Sequence, residues 1–178
     1  TVISKLVQNN FEVQVVASSS ALNFIGPATL EGLTGRCLQT DLYETGKMMD
    51  HIHLIRWADL IITAPASANY INKIAAGLAD DLLSAMWLAH DFKRPFLIAP
   101  AMNSSMLLHP ITQASLKKLT SLGVQILQPE TGKLACGETG TGRLMEPEDI
   151  FAEIQASLHS SRKPEKEKSN HNNSKKNI

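Results

Sequence analysis

Residues 59–69 read DLIITAPASAN, and this stretch decides the fold. Its first part, 59–64, is a short apolar run rich in β-branched side chains, which is typical of a strand buried on both faces of a parallel sheet. Pro65 is expected to end the strand, because it has no amide proton to donate to a sheet. The small polar turn that follows leads into a helical pattern, and α/β proteins bind ligands at such turns. The free amides of this turn and the Ser67 hydroxyl are suited to bind an anionic or carbonyl oxygen of a ligand. Alternatively, Ser67 or Asn69 simply caps the following helix.

The same unit, a strand followed by a helix, recurs along the chain. Strands are predicted at 11–17, 59–64, 95–99 and 124–127, and helices at 21–25, 28–33, 48–57, 71–76, 82–89, 110–122 and from 147 to about 159. Such βα repeats predict an α/β protein with a parallel sheet. Residues 128–146 are dense in glycine and are predicted to form a loop. Residues 1–10 have the pattern of the second half of a helix, so we expect a strand to precede them.

Composition divides the chain into a body and a tail. Residues 161–178 contain six Lys or Arg and two Glu and no aliphatic residue before Ile178, whereas the preceding 160 residues carry a net charge of −4. We therefore expect a single domain at 1–159 and a disordered basic tail or linker at 160–178. Because the tail has neither aromatic residues nor an amphipathic face, no nucleic-acid or membrane partner is predicted.

The spacing of the cysteines and the hydropathy of the chain indicate the cellular compartment of the protein. Cys37 and Cys136 lie far apart without the spacing of zinc ligands, which indicates a reducing compartment and predicts no metal. The chain has no apolar run long enough to span a membrane and no recognisable secretory signal. These features predict a cytoplasmic protein.

Three polar residues are placed where chemistry is plausible. The sequence lacks the glycine-rich nucleotide motifs, the zinc-protease motif and the nucleophile elbow. His51 lies on a predicted helix and suits general acid–base work, although it and His53 could both be exposed helix residues. Asn103 follows the strand at 95–99 and could bind a carboxylate, or it could form an Asx-turn or helix cap. Cys136 lies between glycines, where a thiol can donate a proton, or it is an incidental residue of a surface loop.

Taken together, four separated segments resemble the flavin-dependent cysteine decarboxylases, particularly the branch that acts on 4'-phosphopantothenoylcysteine. The segments are HIHLIRWADLIITAPASAN at 51–69, AGLADDLLS at 76–84, PAMNSSM at 100–106 and ACGETGTGRL at 135–144. The resemblance covers about residues 1–159. In bacteria this domain is usually the N-terminal half of a bifunctional decarboxylase/synthetase. The resemblance implies a flavodoxin-like, three-layer α/β/α fold with a parallel sheet, a trimer or dodecamer of trimers, and FMN bound between subunits.

The resemblance also implies roles for individual residues. His51 matches the catalytic histidine, Cys136 the active-site cysteine, and Asn103 the residue that holds the substrate carboxylate. The loop around Cys136, with Ala135 and Gly137, matches the segment that closes over substrate. The positions that match flavin-binding residues are Ser18, Ser19, Ser20, Ser67, Ala68, Asn69, Tyr70 and Ala101. Tyr70 replaces the family's usual threonine and Leu107 its usual aromatic residue, and both changes concern local packing.

The implied reaction is the FMN-dependent decarboxylation of 4'-phosphopantothenoyl-L-cysteine to 4'-phosphopantetheine and CO2 in coenzyme A biosynthesis. A simple amino-acid carboxylate does not lose CO2 readily, so the family first oxidises the cysteine moiety to a thioaldehyde that accepts the electrons. His51 is implied as base or orienting group and Cys136 as proton donor. A fused or separate phosphopantothenoylcysteine synthetase is the implied partner.

Two alternatives remain: a peptidyl-cysteine decarboxylase of lantibiotic maturation, and a non-catalytic phosphatase-regulating relative of the same fold. The family's first strand, with its glycine turn, has no counterpart in these 178 residues.

Overall fold

Three parallel strands form the centre of the molecule. The computed structural model describes residues 1–43, 48–133, 137, 139–161 and 176–177. β2 (Ile61–Ala66), β3 (Phe96–Pro100) and β4 (Gln125–Ile126) follow one another in the sheet in that order. Ile62 is opposite Leu97, and Leu97 is opposite Gln125. The predicted parallel sheet is therefore confirmed.

Helices connect these strands and cover both faces of the sheet. Their bounds are α1 (Val2–Gln8), α2 (Pro27–Thr34), α3 (Asp50–Trp57), α4 (Ala68–Ala75), α5 (Leu82–Leu88), α6 (Ser104–Leu107), α7 (Pro110–Ser121) and α8 (Pro147–Ser160), with a 3-10 turn at Ala21–Asn23. Among the described residues, none of these helices is both long and apolar enough to cross a lipid bilayer.

The alternation of side chains along β3 shows why the molecule has three layers. Every residue of β3 is buried. Leu97 and Ala99 pack in one apolar cluster with side chains of α1 and α8, whereas Phe96 and Ile98 pack in another with side chains of α4 and α7. Since successive side chains of a strand point to opposite faces, an unbroken apolar strand requires a helical layer on each side.

Several boundaries differ from those that the sequence predicts. Pro65 does not end its strand: β2 continues to Ala66 through a cis Ala64–Pro65 bond, and its pairing with β3 shifts register between Thr63 and Ala66. The strand predicted at 11–17 is paired only at β1 (Phe11–Glu12) and at a bridge between Val16 and Gln39. The reason is that a strand is defined by its partner. Among the described residues 13–15 are in no ladder, although the Val15 carbonyl accepts the Gln39 amide proton at 3.2 Å.

The predicted loop at 128–146 contains regular structure. β5 (Glu130–Lys133) and β6 (Thr139–Arg143) pair as an antiparallel hairpin in which Lys133 is opposite Thr139. The loop prediction is therefore wrong for these residues. Glycine and threonine give no apolar alternation, so the pairing depends on the backbone and on contacts with the rest of the protein.

A cavity of about 530 Å³ lies beside the unpaired part of the predicted first strand. It is lined by apolar side chains from both sides, among them Val13, Val15, Leu60 and Ile62. β7 (Lys176–Asn177) runs parallel to β1, and the Asn177 carbonyl accepts the Asp59 amide proton at 3.0 Å. The rest of the predicted tail, 162–175 and 178, lies outside the described residues.

Candidate active site

The turns after β2 and β3 lie side by side at the carboxyl edge of the sheet. Ala66 is opposite Pro100, and the Ala101 amide donates to the Ala66 carbonyl at 3.0 Å. This bond brings the Ser67 turn and the Asn103 turn to the same edge, as two neighbouring parallel strands require. This edge is where ligands bind in α/β sheets.

Ser67 caps α4. Its Oγ accepts the Tyr70 amide proton at 3.3 Å, which satisfies one of the unpaired amides of the first helical turn. The cap leaves the Ser67 O–H as a donor, so capping and ligand binding do not exclude each other. Ser67 and Asn69 are exposed, whereas Ala68 is buried against the core.

Tyr70 contributes a phenol to the rim of the large cavity. The Thr63 hydroxyl donates to the Tyr70 Oη at 3.3 Å. Burial raises the pKa of Tyr70 to about 12, opposed by the Thr63 hydrogen bond and assisted by the charge of Asp81. The phenol is therefore neutral at physiological pH and retains its proton as a hydrogen-bond donor.

Of the three serines after the first predicted strand, Ser18 borders the same cavity as Tyr70. Its Oγ accepts the Ala21 amide proton at 3.2 Å, so it also supports the short 3-10 turn. Ser19 and Ser20 are exposed. The structure thus brings Ser18 and Tyr70 to one cavity, although they are separated by 52 positions in the sequence.

Asn103 caps α6 and lies next to the hairpin. Its Oδ1 accepts the Ser105 amide proton at 2.8 Å, which fixes the plane of the side-chain amide. The backbone on either side binds β6: the Met102 amide donates to the Gly142 carbonyl at 2.9 Å, and the Ser104 hydroxyl donates to the Thr141 carbonyl at 2.7 Å. The capping alternative for Asn103 is therefore correct, and it orients the amide rather than removing it from the site.

The hairpin includes one of the three loop residues in the predicted site. Gly137 is exposed and has a positive φ of 87°, a conformation that favours glycine. Ala135 and Cys136 lie outside the described residues. Gly142 and Ser104, which join the hairpin to the Asn103 turn, are functional candidates that the sequence did not reveal. The only available signal was the glycine spacing of TGTGR at 139–143.

His51 occupies a separate pocket. Its Nδ1 is buried and has no hydrogen-bond partner among the described residues. The pocket has a volume of about 460 Å³, and its other lining residues are Leu42, Tyr43, Met48, Ala79, Ala85, Leu88 and Ala89. The expectation of an exposed helix residue holds for His53 but not for His51. Within the described part of one chain, the His51 pocket and the Ser18–Tyr70 cavity share no lining residue.

An unpaired buried imidazole nitrogen is unusual, because burying a polar atom without a partner costs roughly 1–3 kcal/mol. His51 lies on α3 and its pocket is completed by residues of α5, a helix that packs against α3. The surrounding residues are apolar, so nothing described within the chain compensates for this cost. The imidazole thus lines an apolar pocket while one of its ring nitrogens makes no hydrogen bond among the described residues.

The architecture defines a class of ligand-binding α/β protein, with a parallel sheet between helices and small polar turns at its carboxyl edge. The chain belongs to the Flavoprotein family, whose model matches residues 1–159. Together with the relatives and solved structures described next, this match confirms the resemblance inferred from the sequence motifs.

Two curated relatives illustrate the match. The chain is 41% identical over 158 residues to the coenzyme A biosynthesis bifunctional protein CoaBC of Mycobacterium tuberculosis, covering 89% of this chain and 37% of that protein. It is 38% identical over 148 residues to phosphopantothenoylcysteine decarboxylase HAL3 of Malus domestica, covering 81% of this chain and 69% of that protein. The chain thus spans little more than a third of the bifunctional relative.

Two solved structures share the fold. A PPC decarboxylase variant complexed with pantothenoylaminoethenethiol superimposes with a TM-score of 0.72 at 32% identity, covering 88% of this chain and 92% of that chain. The FMN binding protein AtHal3 superimposes with a TM-score of 0.71 at 32% identity, covering 90% and 92%. The flavodoxin-like fold expected from the sequence is confirmed.

Proposed function

We propose that this chain binds FMN and decarboxylates 4'-phosphopantothenoyl-L-cysteine, giving 4'-phosphopantetheine and CO2 in coenzyme A biosynthesis. One observation carries the proposal: the Ala101–Ala66 hydrogen bond holds the two motif-bearing turns together at the carboxyl edge of the sheet. Membership of the Flavoprotein family and the 38% identity to a phosphopantothenoylcysteine decarboxylase support it.

The residues at this edge suit a flavin nucleotide. A flavin has a flat, largely apolar ring with a polar rim and a charged phosphate. The cavity that Ser18 and Tyr70 border combines apolar walls with hydroxyl donors, and Ala64 and Pro65 add small apolar surfaces to it. Ser18, Ser19, Ser20, Ser67, Ala68, Asn69 and Tyr70 would hold the cofactor, with Ala101 beside the ring.

Bound FMN would supply the two-electron oxidation of the substrate's cysteine moiety and the later return of a hydride. Asn103 would bind the substrate carboxylate through its side-chain amide N–H groups, whose plane the Ser105 contact fixes. Preorganisation of this kind lowers the entropic cost of bringing the reacting groups together. The carboxylate would leave as CO2 once the oxidised neighbouring carbon can accept its electrons.

His51 would act as a base or orienting group during oxidation, and its side chain lines an apolar pocket. Cys136 would donate the proton that completes the product, and Ala135 and Gly137 would contact the substrate beside it. A cytoplasmic location, which we also propose, would keep Cys136 as a thiol.

The proposal includes assembly into a homotrimer, with larger assemblies of trimers as an extension. Exposed apolar side chains surround His51, including Tyr43, Met48 and Leu88. A neighbouring copy that covered them would place its own bound cofactor beside His51. This arrangement would explain why the His51 pocket and the Ser18–Tyr70 cavity are separate within one chain. A fused or separate phosphopantothenoylcysteine synthetase would supply the substrate.

The test is CO2 release from 4'-phosphopantothenoyl-L-cysteine by the FMN-loaded chain. His51→Asn should abolish release while the protein keeps its yellow flavin absorbance, since the base is lost and the cofactor site is not. His53→Asn is the matched control, because His53 lies two residues along the same helix and its side chain is 70% exposed. It should leave the rate within about twofold.

Other outcomes would redirect the assignment. Turnover of a peptide with a C-terminal cysteine, but not of the pantothenoyl substrate, would favour the lantibiotic alternative. Flavin binding without turnover of either substrate would favour a non-catalytic, phosphatase-regulating role. A colourless chain that does not take up FMN would contradict the proposal at its first step.

A further inference from the structure

Hairpin β5–β6 and the Asn103 turn are joined by their backbones. The Met102 amide donates to the Gly142 carbonyl at 2.9 Å, and the Ser104 hydroxyl donates to the Thr141 carbonyl at 2.7 Å. The two bonds flank Asn103 on one side and reach adjacent residues of β6 on the other. The hairpin is therefore fixed to the residue that the proposed function assigns to the substrate carboxylate.

Gly142 allows its backbone to lie close to that of Met102, because glycine has no side chain. A Cβ at Gly142 would lie 2.1 Å from the Met102 carbonyl oxygen, whereas ordinary contact begins near 3.4 Å. The obstacle is a backbone atom, so it cannot turn away as a side chain would. The φ of Gly142 is also +133°, a conformation that other residues rarely adopt. Any other residue would push the hairpin away from the turn.

The base of the hairpin, next to Gly142, is also held by charged side chains. Arg143 forms ion pairs with Glu130, at 3.3 Å, and with Glu146. The Glu146 amide donates to Glu130 Oε1 at 3.1 Å. The contacts of Thr141 and Gly142 lie within two residues of this ion-paired base, so the ion pairs and the Asn103 turn together hold the base of the hairpin.

We propose that Gly142 and Ser104 are positioning residues that hold hairpin β5–β6 in register with the carboxylate-binding amide of Asn103. The inference rests on the proposed function, in which residues between β5 and β6 act on a substrate bound at Asn103. Neither residue touches the substrate in this scheme. Each acts by setting the distance between the turn and the hairpin.

The test compares Gly142→Ala with Gly132→Ala in the FMN-loaded chain. Among the described residues, a Cβ at Gly132 would meet the Arg143 side chain, at 3.2 Å, and no backbone atom, so it is a matched control in the same hairpin. A displacement of about 1 Å at a reacting centre can cost about a hundredfold in rate. We expect Gly142→Ala to lower kcat by at least about tenfold and Gly132→Ala to change it by less than about twofold.

Two further readouts separate positioning from loss of structure. In Gly142→Ala the Met102 amide should exchange its hydrogen faster, while the flavin content stays near that of the original chain. Ser104→Ala should lower kcat about fivefold, as expected for one lost neutral hydrogen bond, and Ser104→Thr should restore it because it keeps the hydroxyl.

The outcomes are distinguishable. If the original chain turns over substrate and a folded Gly142→Ala variant does so equally well, the inference is wrong and the proposed function stands. If the original chain releases no CO2, the proposed function fails and this inference fails with it. If Gly142→Ala does not fold, the Ser104 pair decides: equal rates for Ser104→Ala and Ser104→Thr would overturn the inference.

Discussion

His90 shows how the surroundings of a single residue affect its protonation. Its side chain packs among Trp87, Phe92 and Phe96, and the residue is only 5% exposed. Its Nδ1 accepts the Phe92 amide proton at 3.3 Å, and its Nε2 is buried without a partner among the described residues. Burial lowers the pKa of His90, while the nearby charge of Asp91 opposes that effect.

The lowered pKa predicts a loss of stability in acid. As pH falls below about 6.5, His90 takes up a proton in the unfolded chain before it does so in the folded chain, so the free energy of unfolding decreases. The loss continues until the pH reaches the lower pKa of the folded state. Urea unfolding at about pH 7.5 and about pH 5.5 measures it. His90→Phe should reduce the difference between the two pH values.

His53→Phe is the control for that experiment, because its side chain is 70% exposed and makes no contact with the aromatic cluster. It should leave the acid sensitivity of unfolding unchanged. If the original chain and His90→Phe lose the same free energy of unfolding between the two pH values, His90 is not the source of the acid sensitivity.

At the scale of the element, α5 begins at a capping box. The Asp81 Oδ1 accepts the Ser84 amide proton at 2.8 Å, and the Ser84 hydroxyl accepts the Asp81 amide proton at 3.2 Å. Lys73 of α4 adds an ion pair to Asp81 at 2.7 Å. Because Ala85, Leu88 and Ala89 line the His51 pocket, the cap also fixes one wall of the proposed site.

Removing the cap should therefore weaken the protein measurably. Asp81→Ala should lower the free energy of unfolding by about 1–2 kcal/mol, because the helix loses its cap acceptor and Lys73 loses a partner. Asp81→Asn should cost less, since the amide oxygen can still accept the Ser84 proton. Urea denaturation of the two variants measures the difference.

Asp80→Asn is the matched control for the charge. Asp80 also pairs with Lys73, at 2.8 Å, but its side chain is 70% exposed and does not cap the helix. Exposed ion pairs contribute about 0–1 kcal/mol, so this variant should be close to neutral. A larger loss in Asp80→Asn than in Asp81→Ala would mean that the ion pair outweighs the cap.

At the scale of the whole molecule, the surface around His51 is unusually apolar. Leu88 is 59% exposed and Met48 is 61% exposed, and both line the His51 pocket. Exposed apolar side chains that adjoin a pocket are a feature of protein–protein interfaces. This surface supports the proposed trimer and would place His51 at a boundary between copies.

Leu88→Glu should dissociate the assembly, because it would bury a carboxylate in an apolar interface. Light scattering after size exclusion should give a trimer for the original chain and mainly monomer for the variant. Leu122→Glu is the control, since Leu122 is 44% exposed at the end of α7 and does not line the pocket. A monomeric original chain at micromolar concentration would contradict the trimer, as would an intact trimer in Leu88→Glu.

The sequence by itself predicted the three strands of the parallel sheet, most of the helices and the motifs of the family. The apolar run at 95–99 predicted a strand, and Pro110 and Pro147 predicted the starts of two helices. The structure has all three elements, and every residue of that strand from Phe96 is buried. These signals are local: they depend on side-chain periodicity, on proline and on capping residues within a few positions.

Only the tertiary structure decided the pairing of distant backbones and the burial of individual polar atoms. The contact between Gly142 and Met102, the partial burial of His51 and the bond from Ala101 to Ala66 each join segments that no local pattern connects. Hairpin β5–β6 was missed for the same reason, since its glycines and threonines carry little strand preference of their own. Backbone hydrogen bonds and close packing between remote segments depend on the whole fold, which is why they were visible only in three dimensions.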